Sequence, residues 1–253
     1  MIKKFFNELA ERLYPGELYC LCCGKAIDWS RPYSMCDSCM QDIRWTSGRL
    51  CRTCGKMLSD NNPGTVCYNC RASERHFDQG YTCCEYEAHD RSLVYKLKYD
   101  NKPGIARTIG EVMADRMLSE FTSEELRSRY DLIVPIPISD ERRELRGYNQ
   151  AALIAEFFAE KTGLVYNGEI LLRTRETLAM KGLTPTERRL NLQGCFDLRD
   201  GVARLVRDAS CLVIDDIVTT GATIDAAASI LKENGARIVD FISFASGADV
   251  IKS

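Results

Sequence analysis

Two groups of residues in this 253-residue chain have the types and spacing that chemistry requires. The first is Cys211–Thr223, CLVIDDIVTTGAT, in which two adjacent carboxylates, Asp215 and Asp216, follow a short apolar run. A hydroxyl-rich loop comes next, Thr219, Thr220, Gly221, Ala222 and Thr223, at what reads as a helix start. Unpaired N–H groups at a helix start attract anions, and a glycine there lets the backbone approach a phosphate closely. The threonines add hydroxyl donors. Carboxylates repel a phosphate, so Asp215 and Asp216 are expected to face a sugar diol or a cation. Phosphate at one end and hydroxyls at the other describe a ribose 5-phosphate. Neither G-x-x-x-x-G-K-[ST] nor a strand-borne G-x-G-x-x-G is present, which leaves the common nucleoside-triphosphatase and dinucleotide readings without support.

The second group is the cysteines. Eleven of the 13 lie within the first 84 residues. Four C-x-x-C pairs stand in order, Cys20/Cys23, Cys36/Cys39, Cys51/Cys54 and Cys67/Cys70, and the second two pairs repeat the first two at an offset of 31 residues. Both repeats carry CGK at the same place, Cys23-Gly24-Lys25 and Cys54-Gly55-Lys56. A fixed period marks a repeated structural unit. Two cysteines separated by two residues can turn both sulfurs onto one ion, and a second such knuckle completes a tetrahedron, so each repeat is expected to hold one structural zinc. A unit of about 30 residues buries too little apolar surface to fold unaided, and the metal supplies the stability. The alternatives are disulfides, an iron–sulfur cluster or a redox pair. The duplicated spacing and the lack of a signal peptide favour zinc. Cys22, Cys83, Cys84, Cys195 and Cys211 are then bystanders, and His76 and His89 non-ligands.

The elements that must position these groups follow from hydrophobic pattern. Residues 1–17 read as an amphipathic helix, too polar for a signal peptide. Residues 18–78 hold the two ribbons, and 79–253 form an α/β domain. Strands are expected near Tyr81–Tyr86, Asp131–Val134, Glu169–Arg173, Cys211–Ile214 and Arg237–Ala245. Helices are expected over His89–Tyr99, Gly104–Phe121, Gln150–Thr162, Thr184–Leu192 and Ala222–Asn234. The strand–helix–strand unit at the end implies a parallel sheet, whose ligands bind beyond the carboxyl ends of its strands. No run approaches the ~20 apolar residues that span a membrane, which points to a cytoplasmic protein without membrane insertion. Formal charge over residues 1–78 is +2, from 11 Lys and Arg against 9 Asp and Glu. Each four-thiolate zinc site adds about −2, so the ribbons carry no electrostatic footprint for nucleic acid. Tyr19, Trp29, Tyr33, Trp45 and Tyr68 could stack on unpaired bases or pack around the metals.

Cys211–Thr223 resembles, at every position, the phosphoribosyl pyrophosphate (PRPP) signature of type I phosphoribosyltransferases. The resemblance implies that Asp215 and Asp216 hold the ribose hydroxyls and that Thr219–Thr223 cradle the 5-phosphate. Asp131–Pro137, DLIVPIP, is similar to that family's pyrophosphate loop, which assigns PRPP contacts to Pro135, Ile136 and Pro137. Leu97–Tyr99, Val134–Ala151 (VPIP…RRELRGYNQA) and Arg173–Phe196, after N-terminal C-x-x-C pairs, resemble the ComF family of competence-associated proteins. The implied fold is a parallel-sheet phosphoribosyltransferase domain preceded by a double zinc ribbon. The implied activity is Mg-assisted displacement of pyrophosphate by an acceptor that the sequence does not identify, in DNA uptake or nucleotide salvage. The alternative is a non-catalytic PRPP- or nucleotide-binding component, with ribbons that bind a protein partner or single-stranded DNA. Lys98, Arg142, Arg143, Arg146 and Asn149 are further candidates for the pyrophosphate or substrate. Arg188, Arg189 and Asn191 either line the cleft or lie on the surface. Met180 stands where the family pattern has a glutamine.

Overall fold

The computed structural model describes residues 18–28, 30–86, 88–100, 102–175, 187, 191–192 and 194–250, with backbone alone for 88–91. The expected helices over 1–17 and most of 184–192 lie outside these residues, as do Trp29, Met180, Arg188 and Arg189. The described residues form six strands: β1 Gly80–Glu85, β2 Leu132–Pro135, β3 Leu171–Arg173, β4 Phe196–Leu198, β5 Ser210–Val218 and β6 Ile238–Ser246. Four of them make a parallel sheet in the order β1-β6-β5-β2, and β3 and β4 form a separate antiparallel pair. The principal helices are α1 Ala88–Tyr99, α2 Ile105–Leu118, α3 Ser123–Arg129, α4 Asp140–Arg146, α5 Gln150–Thr162 and α6 Ala222–Glu233.

The period-two pleat divides the sheet's side chains between two cores. Leu212, Ile214, Ile242 and Phe244 meet Leu93, Ile109 and Phe158 of α1, α2 and α5 on one face. Cys211, Val213, Val239 and Phe241 meet Ile224, Ala228 and Leu231 of α6 on the other. The helices α3 and α4 are additions to the sequence reading. Thr122 and Glu125 form a reciprocal capping box for α3, a signal that T-S-E-E carries openly. Ser139 caps α4, and Gly147, at φ 79°, ends it.

The two ribbons repeat their backbone hydrogen bonds as faithfully as their cysteines. Cys20 N–H donates to Lys25 O and Cys51 N–H to Lys56 O, at 2.7 and 2.8 Å. Gly24 and Gly55 close the knuckles at φ 75° and 72°, a conformation glycine adopts without strain. The ribbons differ in what they pack against. Cys20, Met35, Cys39 and Ile43 of the first join the core on the α1–α2 face, whereas Cys51, Cys54 and Cys67 of the second join the α6 face. The segment between them runs along the outer edge of β1, with a Trp45–Cys84 bridge and bonds from Thr46 N–H to Cys83 O and Glu85 N–H to Arg44 O. An otherwise open strand edge is thereby covered, with one ribbon on each side of the sheet.

Candidate functional site

The centre of the site lies where β2 stops and β5 continues. Pro135 is the last paired residue of β2, opposite Ile214; the Ile136 N–H still reaches Ile214 O, but Ile136 O goes to Asn149 Nδ2 and the ladder ends there. On its other side β5 stays paired with β6 through Val218. Asp215 and Asp216 therefore sit inside a strand rather than after it, a correction to the sequence reading, on an edge that β2 has left open. The Asp216 N–H is taken by Asp215 Oδ1 at 2.9 Å. Asp216 Oδ2 meets Lys98 Nζ at 2.7 Å in an ion pair whose side chains are 3% and 20% exposed. Burial and then the neighbouring Asp216 charge hold the Asp215 carboxyl well above its ordinary range. Burial would lower Lys98, but attraction to Asp216, with Asp215 behind it, outweighs this and holds the ammonium above its ordinary value.

Lys96 and Lys98 lie on different faces of α1, as their spacing requires. Lys96 Nζ donates to Leu21 O and Cys22 O at 2.7 Å each and ties α1 to the first ribbon. The run Arg146–Gln150 then fixes α1 against the end of β2. Tyr148 Oη donates to Leu97 O, Arg146 Nη1 donates to Gln150 Oε1 at 2.9 Å, and the Arg146 guanidinium lies 5.4 Å over the Tyr99 ring. Asn149 is engaged at both ends of its amide: Nδ2 donates to Ile136 O at 3.0 Å and Oδ1 accepts from Ala151 N–H at 3.1 Å. Tyr148 is the clamp that sequence reasoning missed. Its signal was an aromatic residue with a polar tip in the turn between two helices. Arg142 and Arg143, on α4, make no ion pair among the described residues.

Residues 135–137 are buried and offer an anion no free N–H. Pro135 and Pro137 have none, and that of Ile136 goes to Ile214 O at 2.9 Å. The loop after β5 is built differently. Thr219 to Ile224, with Asp215, Ile217, Val218 and Leu192, line a pocket. Gly221, at φ 82°, caps α6, and Thr220 Oγ1 accepts from Ala222 N–H at 3.4 Å. Neither Thr220 N–H nor Gly221 N–H has an acceptor among the described residues. Two consecutive donors thus remain beside the carboxylate pair, an arrangement suited to a phosphate.

The eight C-x-x-C cysteines form two clusters, Cys20/Cys23/Cys36/Cys39 and Cys51/Cys54/Cys67/Cys70, each with all four sulfurs within 4.8 Å of one another. A tetrahedral ion with Zn–S bonds of about 2.3 Å holds its sulfurs about 3.8 Å apart. Cys23–Cys36 and Cys54–Cys67 measure 3.7 and 3.6 Å. The donor sets therefore fit zinc, closed and structural, with no open coordination position. The remaining thiols behave as buried apolar groups: burial pushes Cys22, Cys83 and Cys211 up to about 12. His76 is engaged by Asp225, its N–H at 2.7 Å and its ring at 3.3 Å. Among the described residues no helix is long and apolar enough to cross a membrane.

Parts of the chain match known proteins. Residues 9–85 match the double zinc ribbon domain and residues 173–250 the phosphoribosyl transferase domain. The chain is 31% identical over 147 residues to the DNA utilization protein YhgH of Salmonella typhimurium, covering 58% of this chain and 63% of that one. It is 27% identical over 143 residues to competence protein F of Haemophilus influenzae, covering 56% and 62%. It is 35% identical over 136 residues to competence protein ComFC of Streptococcus pneumoniae, covering 53% and 57%. The matched stretch spans less than two thirds of each of these relatives.

Proposed function

We propose, from the premise that this chain is a ComF-like protein joining a double zinc ribbon to a phosphoribosyl transferase domain, that it binds PRPP and displaces its pyrophosphate. The observation that carries the reading is the Asp215–Asp216 pair on the open edge of β5, beside a loop whose Thr220 and Gly221 N–H groups have no acceptor among the described residues. In this reading the carboxylates accept from the ribose 2′- and 3′-hydroxyls, and the 5-phosphate lies on Thr219–Thr223. Lys98 holds Asp216 in place through their ion pair, and Arg146 adds positive charge on the side from which a diphosphate would leave. Asp215 and Asp216 would hold magnesium where it would supply positive charge to the departing diphosphate. The chain's own part is charge placement around an oxocarbenium-like transition state and exclusion of water from it. The process served is DNA uptake or nucleotide salvage, as the relatives' names suggest, and the residue divisions 1–17, 18–78 and 79–253 belong to the same proposal.

The reading is tested by calorimetric titration of the zinc-loaded chain with PRPP and Mg²⁺, beside pyrophosphate release across a panel of bases and amines. Replacing both Asp215 and Asp216 by Asn is expected to abolish PRPP binding, and unchanged affinity would sink the site assignment. Binding without release for any acceptor would favour the non-catalytic alternative, a PRPP-dependent component of DNA uptake whose ribbons contact a protein partner or single-stranded DNA.

A further inference from the structure

The second ribbon reaches further into the domain than a stabilising module needs to. Lys25 and Lys56 occupy the same place in the two CGK repeats, yet Lys25 is exposed and Lys56 is only 2% exposed. Burying an ammonium is costly unless it is hydrogen-bonded. Lys56 Nζ donates to Thr219 O at 2.9 Å, across 163 residues of sequence. From the segment that follows the ribbon, Arg75 Nη2 donates to Thr220 O at 2.9 Å and to Asn69 O at 2.7 Å. The ribbon is itself anchored from the far end of the chain. Asp249 accepts from Tyr68 N–H at 2.9 Å, Asn62 Nδ2 at 2.7 Å and Ser59 N–H at 3.3 Å.

These contacts decide where two N–H groups point. In a planar trans peptide the carbonyl and the N–H face opposite ways. A cation behind Thr219 O turns the Thr220 N–H away from it, and a cation behind Thr220 O does the same for the Gly221 N–H. Both are loop donors without an acceptor among the described residues. Gly221 alone would let the loop adopt several conformations, because glycine populates positive and negative φ about equally. We infer that Lys56 and Arg75 are positioning residues that fix the phosphate loop with its N–H groups outward, so that the second ribbon presets the 5-phosphate site. The inference rests on the phosphoribosyl reading above and deepens it.

The test titrates the full zinc-loaded chain, in Mg²⁺, with ribose 5-phosphate and separately with inorganic diphosphate. Lys56→Met and Arg75→Ala are each expected to weaken ribose 5-phosphate by roughly 10- to 100-fold, the worth of a charge-assisted hydrogen bond. Diphosphate affinity should stay within twofold and zinc content should stay at two per chain. Arg75→Lys should restore part of the loss. Arg75 is only half-buried, so its variants serve if Lys56→Met does not fold. Ribose 5-phosphate affinity within twofold of the parent in the Arg75→Ala chain, or an equal loss for diphosphate, overturns the inference. A parent chain that binds neither ligand overturns the underlying reading and this inference with it.

Discussion

Replacing Lys98 by Met should cost stability in a way that depends on pH, and the size of the loss can be bounded. Lys98 Nζ lies 2.7 Å from Asp216 Oδ2 in a nearly closed site. Methionine keeps most of the side-chain volume and removes the charge. Deleting one member of a buried pair costs about 3–5 kcal/mol, because the other charge is left uncompensated. The carboxylate pair has an escape, which is to keep a proton, as the raised Asp215 carboxyl already tends to do. That costs about 1.4 kcal/mol for each pH unit above the ordinary carboxyl value near 3.9, or about 4 kcal/mol at pH 7 and about 1.5 kcal/mol at pH 5. The loss should therefore approach 4 kcal/mol at neutral pH and fall below half of that at pH 5.

The signs are consistent. In the variant the buried carboxylate pair loses the cation that restrains the rise of Asp215, and a carboxyl raised above its unfolded value favours the fold in acid and loses that contribution as pH rises. Lys98 in the parent is itself raised, and its contribution is complete below about pH 10, so the parent adds no slope from this group between pH 5 and 7. The assay is urea unfolding of both zinc-saturated chains at the two pH values. A difference between them that is the same at pH 5 and pH 7 would refute the reasoning, since it would mean that the lysine contributes packing and not charge.

Other consequences follow from the same contacts. Because burial and Asp216 hold the Asp215 carboxyl well up, binding of a Mg²⁺–PRPP pair should expel its proton. The binding enthalpy should then change between two buffers of different ionisation enthalpy, and affinity should rise with pH until Asp215 is ionised in the free chain. Gly24→Ala should cost about 1–2 kcal/mol of left-handed strain. Gly55→Ala should cost more, because its Cβ would stand 2.4 Å from Gly80 O while the one at Gly24 meets open space; thermal unfolding ranks the two. Asp249→Ala leaves the Ser59 and Tyr68 N–H groups unpaired and Asn62 Nδ2 with Val66 O alone, at about 1–3 kcal/mol or more in total. A chelator competition should show one of the chain's two zinc ions released faster and the other unchanged.

The parts of this fold that are legible in sequence are the local ones. The zinc ligands can be read because a 31-residue offset repeats within one short stretch, and the backbone bonds repeat with it. The strand–carboxylate–loop–helix run can be read because all its members lie in 13 consecutive residues. The extent of β5 could not be read, since it depends on β6 continuing to pair after β2 stops at Pro135. Nor could the different fates of Lys25 and Lys56. The two lysines share a motif, and what separates them is a carbonyl 163 residues away. Asn149 is a substrate candidate in sequence only through the family resemblance of Val134–Ala151. In the fold its amide is consumed by Ile136 O and Ala151 N–H.

The position of the ribbons gives the metal sites a part in the α/β domain beyond their own folding. A parallel sheet needs cover on both faces, and a bare outer strand is an invitation to pair with another chain. Here the inter-ribbon segment covers the edge of β1, and the cysteine clusters pack on opposite faces next to it. Gly80, where β1 begins, has no room for a side chain: a Cβ would stand 2.3 Å from the Phe241 ring and 2.8 Å from Cys54 Cα. That closeness brings Lys56 within reach of the loop after β5, and on the other face Lys96 of α1 reaches the first knuckle. Each ribbon thus touches one of the two elements that flank the carboxylate pair, the first through the helix that bears Lys98 and the second through the loop that bears Thr220 and Gly221. A change in either metal site has a short covalent and hydrogen-bonded route to the groups that would meet the ligand.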